Sequence, residues 1–336
     1  MENTDPQHIS PDTQKEQPGS PEVFTYPPKP ELEEKKKQVW LKSLFSLALY
    51  LVFGFFIFQN WTLLLILTGI VIFHELGHFM AMKLFNYKEL GIFFIPLLGA
   101  YASGTKHEVS QRQSIIILLA GPLPGIILGV ILHFVNLSVQ NPVMDASASL
   151  LLFLNLLNLL PVYPLDGGQI LNRLFMDENH IISKVFVILS ALLMIWIDWY
   201  FIYPTSRLVF FGLLYFPLNI LLRLKSDIDN DRLIAKVESE GVDLNVDYAD
   251  ISDENYWKTR NALIKFHPDL HDIPPAPPYQ YASREDKVIT VMQGMLQRLI
   301  IMDLGVFEKI FIIILWIACF MSPYLLNISL NIFQVR

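Results

Sequence analysis

Residues 62–82 read TLLLILTGIVIFHELGHFMAM. Residues 62–73 carry no charge, yet His74, Glu75 and His78 then fall within five residues, ahead of Lys83. A helix needs about 20 apolar residues to cross the hydrocarbon of a bilayer. At about 1.5 Å per residue, His74 lies roughly 13 Å inside the Lys83 end. Ionisable groups at that depth cost several kcal/mol and mark function. His74 and His78 are one helical turn apart, so both imidazoles leave the same face. That is the spacing at which two histidines share one zinc, with the intervening Glu75 placed to act as a base on water. With 8 histidines in 336 residues, composition alone produces H-E-x-x-H only about 0.01 times per chain.

The rest of the chain has the composition of a polytopic membrane protein. It is 53% hydrophobic and 17% charged, with mean hydropathy +0.40, where soluble proteins are about one quarter charged. The net charge of −7 supplies no basic footprint for nucleic acid. Cys319, the single cysteine, excludes an internal disulfide framework and a Cys-rich metal cluster.

Seven apolar segments are expected at about 39–58, 62–82, 114–135, 148–165, 182–203, 208–224 and 307–326, giving an all-α polytopic fold of about seven transmembrane helices. Between the second and third, GIFFIPLLGAYASG (91–104) combines glycines and a proline with aromatic and β-branched residues, the pattern of a small membrane-associated strand or hairpin region. Residues 1–38, polar and with seven prolines, are expected to be a disordered cytoplasmic tail, because they cannot bury enough apolar surface to offset ordering. The membrane-embedded core that carries the candidate zinc motif is expected over 39–225, with the HELGH helix at 62–82 and a helix at 148–166. An acidic cytoplasmic region of unknown role follows at 226–303, then a carboxyl-terminal transmembrane helix within 304–336. The 226–303 region holds 15 acidic and 8 basic side chains, helical patterns at 253–266 and 284–303, and the proline-rich HPDLHDIPPAPP between them. His107 reads as a solvated loop residue, and Asp198 as an interfacial acid within reach of Arg207.

Two histidines leave a zinc site incomplete, since a catalytic zinc takes three protein ligands and keeps one open position. Asp166 is the acid best placed to complete it. It is expected at the end of the fourth segment, within NLLPVYPLDGGQ (158–169). Pro161 and Pro164 break the helix there, and Gly167-Gly168 let the backbone turn closely.

HELGH on a transmembrane helix, followed by N-x-x-P-x-x-P-L-D-G-G, resembles the site-2 protease family of intramembrane zinc metalloproteases. The resemblance covers roughly residues 62–175. It implies that His74, His78 and Asp166 ligate Zn2+, that Glu75 is the catalytic base, and that Asn158 helps hold an unwound substrate segment. IFFIPLLGA (92–100) resembles the family's membrane-associated strands, and Gly99 within it joins Asn158 as a substrate-binding candidate. One departure stands out. The family's middle core helix often carries A-G-P-x-x-N, whereas 120–125 read AGPLPG, placing Gly125 where Asn is common. Neither a PDZ carboxylate-binding loop nor a paired nucleotide-binding module is legible in 226–303.

The expected activity is hydrolysis of a peptide bond in or near a transmembrane segment of a membrane-protein substrate, within the lipid bilayer, in the manner of regulated intramembrane proteolysis. Another membrane zinc peptidase of the prenyl-protein protease type would take its third ligand from a later glutamate, and no glutamate competes with Asp166. A catalytically silent scaffold fits poorly with an intact Glu75, and a transporter with the lack of an internal repeat. Lys and Arg concentrate on one set of flanks (Lys42, Lys83, Lys88, Lys106, Arg112, Arg173, Lys184, Arg223, Lys225). By the positive-inside rule the amino terminus and the active site then face the cytoplasm, with the cell membrane as expected location. Single-cysteine accessibility labelling of intact membranes is expected to find residues 226–303 inside and the carboxyl terminus outside. A carboxyl terminus on the inside would mean that 307–326 does not span.

Overall fold

The computed structural model describes residues 26–31, 39–96, 99–106, 108–176, 180–244, 246, 248–296 and 300–328. His107 and the tail residues 1–25 and 32–38 lie outside the described residues. Helix α1 (Val39–Phe58) and helix α2 (Trp61–Leu84) are joined by two residues, and the Asn60 side chain caps α2 by accepting from the Leu63 N–H. Strand β1 (Lys88–Ile95) pairs antiparallel with β2 (Gly99–Thr105), from Ile95 opposite Gly99 to Gly91 opposite Ser103. This is the hairpin expected from 91–104. Its β1 strand lies on α1, where the Phe94 N–H donates to Ser46 Oγ at 3.1 Å, and β2 lies along α2.

The chain then forms the short strand β3 (Val109–Ser110), helix α3 (Gln111–Ala120) and helix α4 (Pro122–Val139). The break between α3 and α4 falls at Gly121-Pro122, where proline starts a new helix because its missing N–H is one that a first turn leaves unbonded. Helix α5 (Pro142–Asn158), α6 (Asp166–Phe175) and α7 (His180–Ile197) follow, the last continuing into a π-helical turn, Asp198–Ile202. Helix α8 (Arg207–Ser239) has 33 residues, then come α9 (Asp253–Phe266) and α10 (Glu285–Met295). Strand β4 (Ile300–Ile301) pairs parallel with β3, and helix α11 (Val306–Leu325) completes the described fold. Asp303 fastens this return: it accepts from Ser110 Oγ and from the Arg112 N–H at 3.0 Å.

Among the described residues, six helical stretches are long and apolar enough to cross a membrane, and α5 is a shorter apolar helix of 17 residues. The protein is therefore an integral membrane protein of the all-α polytopic class. Several sequence expectations need correction. The helix expected over 148–166 instead ends at Asn158, and Asp166 opens α6 after a seven-residue loop. Pro161 and Pro164, without N–H groups, leave that stretch unable to continue the helical ladder. The segment expected over 208–224 is only the first half of α8, which runs unbroken across the boundary expected at 225. Helix in the 284–303 stretch stops at Met295. As expected for 307–326, α11 continues through Pro323, where Ser322 Oγ donates at 2.7 Å to the Cys319 carbonyl that proline cannot bond. No ion pair joins Asp198 to Arg207 among the described residues; the guanidinium lies over the Tyr203 ring.

Residues 26–31 correct the expectation of an unstructured tail over that stretch. They lie against a polar unit built from the end of α8, α9, α10 and their connections, to which the Trp257 indole N–H donates a 2.9 Å bond at the Pro27 carbonyl. That unit has its own apolar core of Leu233, Val237, Tyr256, Leu263, Val288 and Met292. Each such buried side chain contributes about 1.5–3 kcal/mol.

In the centre of this core Arg260, fully buried, donates from Nε to Glu285 Oε1 at 2.7 Å and from Nη2 to Oε2 at 3.0 Å, and Tyr256 donates to the same carboxylate at 2.6 Å. Burial pushes the Glu285 carboxyl upward, but these bonds and the Ala282 N–H outweigh it and hold the group below its ordinary value. Its stabilisation is therefore complete above the ordinary carboxylate range and is lost as pH falls through the lower folded value. Glu285→Ala leaves the guanidinium unpaired and is expected to cost about 3–5 kcal/mol. Unfolding of the polar unit followed against pH is expected to show the wild type losing stability at acid pH, with this component absent from the variant.

Candidate active site

Helix α2 brings His74, Glu75 and His78, all buried, against the α3–α4 break, α5 and the start of α6. The close approach is possible because α2 carries Gly77: a β-carbon there would stand 1.9 Å from the Ala120 carbonyl oxygen. Gly121 does the same for the imidazoles, since its β-carbon would stand 2.3 Å from His78 Nε2 and 2.9 Å from His74 Nε2. Across the site, Gly167 sits where a β-carbon would stand 1.9 Å from the Leu159 carbonyl oxygen. The loop after α5 thus folds tightly onto the first turn of α6 and delivers Asp166.

The protons of the two imidazoles are set by what lies behind them. Asn155 Nδ2 donates to the Leu151 carbonyl at 2.7 Å, which turns its Oδ1 toward His74 Nδ1 at 2.8 Å. His78 Nδ1 lies 2.7 Å from the Ile117 carbonyl oxygen. Both Nδ1 atoms face acceptors and so carry the ring proton, leaving an unprotonated Nε2 on each neutral ring. The two Nε2 atoms stand 3.0 Å apart, and Asp166 Oδ2 lies 3.1 Å from one and 3.4 Å from the other. Asp166 Oδ2 is buried and has no aligned hydrogen-bond donor.

Three electron-pair donors therefore converge, all within 4.8 Å of one another, with no proton assigned between them. A cation resolves that repulsion, and two imidazole nitrogens with one carboxylate oxygen are a donor set that zinc accepts, with a fourth position left for water or substrate. The residues present fit the metal.

Glu75 lies beside this cluster. The Ala102 N–H of β2 faces its carboxylate, while the buried Oε2 has no partner. Asn158 Nδ2 donates toward His74 Nε2 at 3.1 Å. Of the residues singled out in the sequence, His74, Glu75, His78, Asp166 and Asn158 are thus brought together. Gly99 is not among them: it sits at the turn end of the hairpin with φ +108 and open space around it. The strand it begins reaches Glu75 three residues later, at Ala102.

Asn155 was not picked out by sequence reasoning. The available signal was the spacing of Asn155 and Asn158, two amides three residues apart in the otherwise apolar stretch 150–160. Its side chain also accounts for the departure at Gly125. A β-carbon on Gly125 would stand 2.2 Å from Asn155 Nδ2. The amide that reaches His74 comes from α5, and α4 makes room for it.

Residues 62–148 match the model of Peptidase family M50. The chain is 31% identical to Zinc metalloprotease MJ0392 of Methanocaldococcus jannaschii over 143 residues, 40% of this chain and 41% of that protein. It is 31% identical to Stage IV sporulation protein FB of Bacillus subtilis over 119 residues, 34% of this chain and 41% of that protein. The chain thus matches about two fifths of the length of these curated relatives. Among solved structures, Site-2 Protease from Methanocaldococcus jannaschii is similar with TM-score 0.39 and 21% identity, over 55% of this chain and 87% of that one.

Groups that orient a metal-binding histidine are worth 10–100-fold in metal affinity. Asn155→Leu is expected to weaken zinc binding by that factor, and Gly125→Leu to do so by displacing the same amide. Competition with a chelator measures both. Unchanged affinity in Asn155→Leu would show that the Leu151–Asn155–His74 chain does not set the ring.

Proposed function

We propose that the chain, whose residues 62–148 match Peptidase family M50 and which is 31% identical over part of its length to a zinc metalloprotease, is a membrane metalloprotease of the site-2 protease type that hydrolyses a peptide bond in or near a transmembrane segment of a membrane-protein substrate. The observation that carries this reading is the buried convergence of His74 Nε2, His78 Nε2 and Asp166 Oδ2 with the unpartnered Glu75 Oε2 beside it. In this reading His74, His78 and Asp166 hold zinc. When bound, zinc supplies Lewis acidity that polarises a carbonyl and acidifies water.

The remaining chemistry belongs to the chain. Glu75 Oε2 accepts the proton of the attacking water, oxygen joins the carbonyl carbon, and the same carboxyl returns the proton to nitrogen as the C–N bond breaks. Oε2, buried and without a partner, is the oxygen free to carry the proton. Asn155 and Ile117 hold the imidazoles in the tautomer that presents Nε2.

A helical substrate hides its carbonyls in i→i−4 bonds and must unwind before attack. β1 is covered by α1, whereas β2 lies beside α2 and Glu75. An extended substrate segment laid along β2 would have its backbone bonds replaced by strand addition, with the Asn158 amide as a further donor. Water reaches the site from the cytoplasmic side, and the reaction class is regulated intramembrane proteolysis. The depth of HELGH in α2 and the position of the hairpin support this reading.

Glu75→Gln preserves size and leaves the three metal-binding groups untouched. Cleavage of a membrane-spanning test substrate in detergent is expected to fall at least about 10²–10⁴-fold, with zinc content unchanged and uncleaved substrate retained on the variant. Undiminished cleavage by a zinc-replete variant would overturn the assignment of Glu75 as the base. Full zinc retention in Asp166→Ala would overturn the three-group site.

A further inference from the structure

Residues 26–31, YPPKPE, are held by the polar unit through three carbonyls, both donor groups of Lys29 and the Tyr26 ring. Three of the six are proline, which fixes φ, and each residue ahead of a proline is held away from the helical region. The stretch is therefore extended before it binds, with carbonyls as its principal hydrogen-bonding groups. The surface meets those carbonyls with aromatic donors. The Trp257 indole N–H donates to Pro27 O at 2.9 Å, the Tyr281 hydroxyl donates to Pro28 O, and the Tyr248 hydroxyl donates to Pro30 O at 3.0 Å. Trp257 and Tyr281 are stacked at 5.5 Å, and Tyr26 sets its ring edge-on to Tyr279 at 5.6 Å.

Lys29 is read separately. Its N–H donates to Asp253 Oδ1 at 2.8 Å, and its ammonium donates to the Tyr248, Ala249 and Ile251 carbonyls at 2.8, 2.6 and 2.7 Å, over the Tyr248 ring. All three ammonium protons are used. A planar guanidinium cannot point three bonds into one such cup.

Aromatic N–H and O–H donors that bind the carbonyls of a preformed extended proline segment constitute a mode of peptide recognition. We propose that the Trp257–Tyr248–Tyr281 surface is an exchangeable recognition site for proline-rich peptides of the form Pro-Pro-Lys-Pro, and that the chain's own residues 26–30 are its resident ligand. A partner protein displaying that sequence competes for the site. The resident segment joins α1 through only the eight residues 31–38, about 28 Å at full extension, so its occupancy ties the polar unit to the helix that carries β1. This inference rests on the polar unit and stands independently of the proteolytic reading.

The test uses the full chain in detergent and a fluorescent peptide of residues 22–34, followed by anisotropy. In one variant, residues 26–30 are replaced by a Gly/Ser sequence of equal length, and a thermal transition verifies that the polar unit stays folded. The peptide is expected to bind this variant at least tenfold more tightly than it binds the wild type, whose site is occupied. A peptide carrying Lys29→Arg is expected to bind at least tenfold more weakly. Equal binding to variant and wild type, or none to a folded variant, overturns the proposal. If the replacement unfolds the unit, a chain cut at a protease site inserted within 32–38 decides. Excess labelled peptide should then exchange with the cut segment, and failure to exchange means a permanent structural staple.

Discussion

Three electron-pair donors held within 4.8 Å of one another in the interior of a membrane protein repel unless a cation lies between them, and the surroundings of the site are arranged around that demand. Each imidazole must present Nε2, so each Nδ1 must be bonded to an acceptor. Ile117 supplies a backbone carbonyl and Asn155 an amide oxygen, and the amide is itself aimed by Leu151. Burial makes these bonds obligatory, since an unpaired polar group away from water costs about 1–3 kcal/mol.

The same demand explains the close packing. Helices normally stand 8–10 Å apart, which would hold four elements too far from a single metal. Gly77, Gly121 and Gly125 remove the side chains that enforce such spacing on one side, and Gly167 does so on the other. At Gly125 the space is filled by the Asn155 amide, so α4 gives room to a polar group carried by α5. A motif compared one position at a time cannot register such a pairing, because the two partners lie 30 residues apart.

The polar unit follows a different logic. Its core is held by the Arg260–Glu285–Tyr256 cluster, and its surface accepts a proline segment through side-chain donors. The expectation of a disordered tail was drawn from the shortage of apolar residues in 1–38. That criterion counts hydrophobic burial alone, whereas residues 26–31 are held through carbonyls and one ammonium. The proline restrictions had already removed much of the conformational entropy that binding would otherwise cost.

The membrane class, the hairpin over 91–104, helix 253–266 and the placing of His74 and His78 on one face were legible because each rests on local periodicity or on spacing within one turn. Asp166 was legible as a candidate because few acids lie in or near apolar segments. Its position at the start of α6 was not, since where a helix resumes after two prolines depends on how tightly the loop can fold back. The continuity of α8 across residue 225 escaped for a related reason: polarity changes there while helical propensity does not. Sequence by itself determined that the chain is a polytopic membrane protein and that His74, Glu75 and His78 fall within one turn of an apolar segment, because composition, charge and spacing are properties of the chain. Only the tertiary structure decided that Asn155 sets the His74 tautomer, that α4 yields space for it, and that Lys29 is caged by carbonyls more than 200 residues away. Those facts depend on which distant backbone groups are brought within about 3 Å, and no local pattern encodes that.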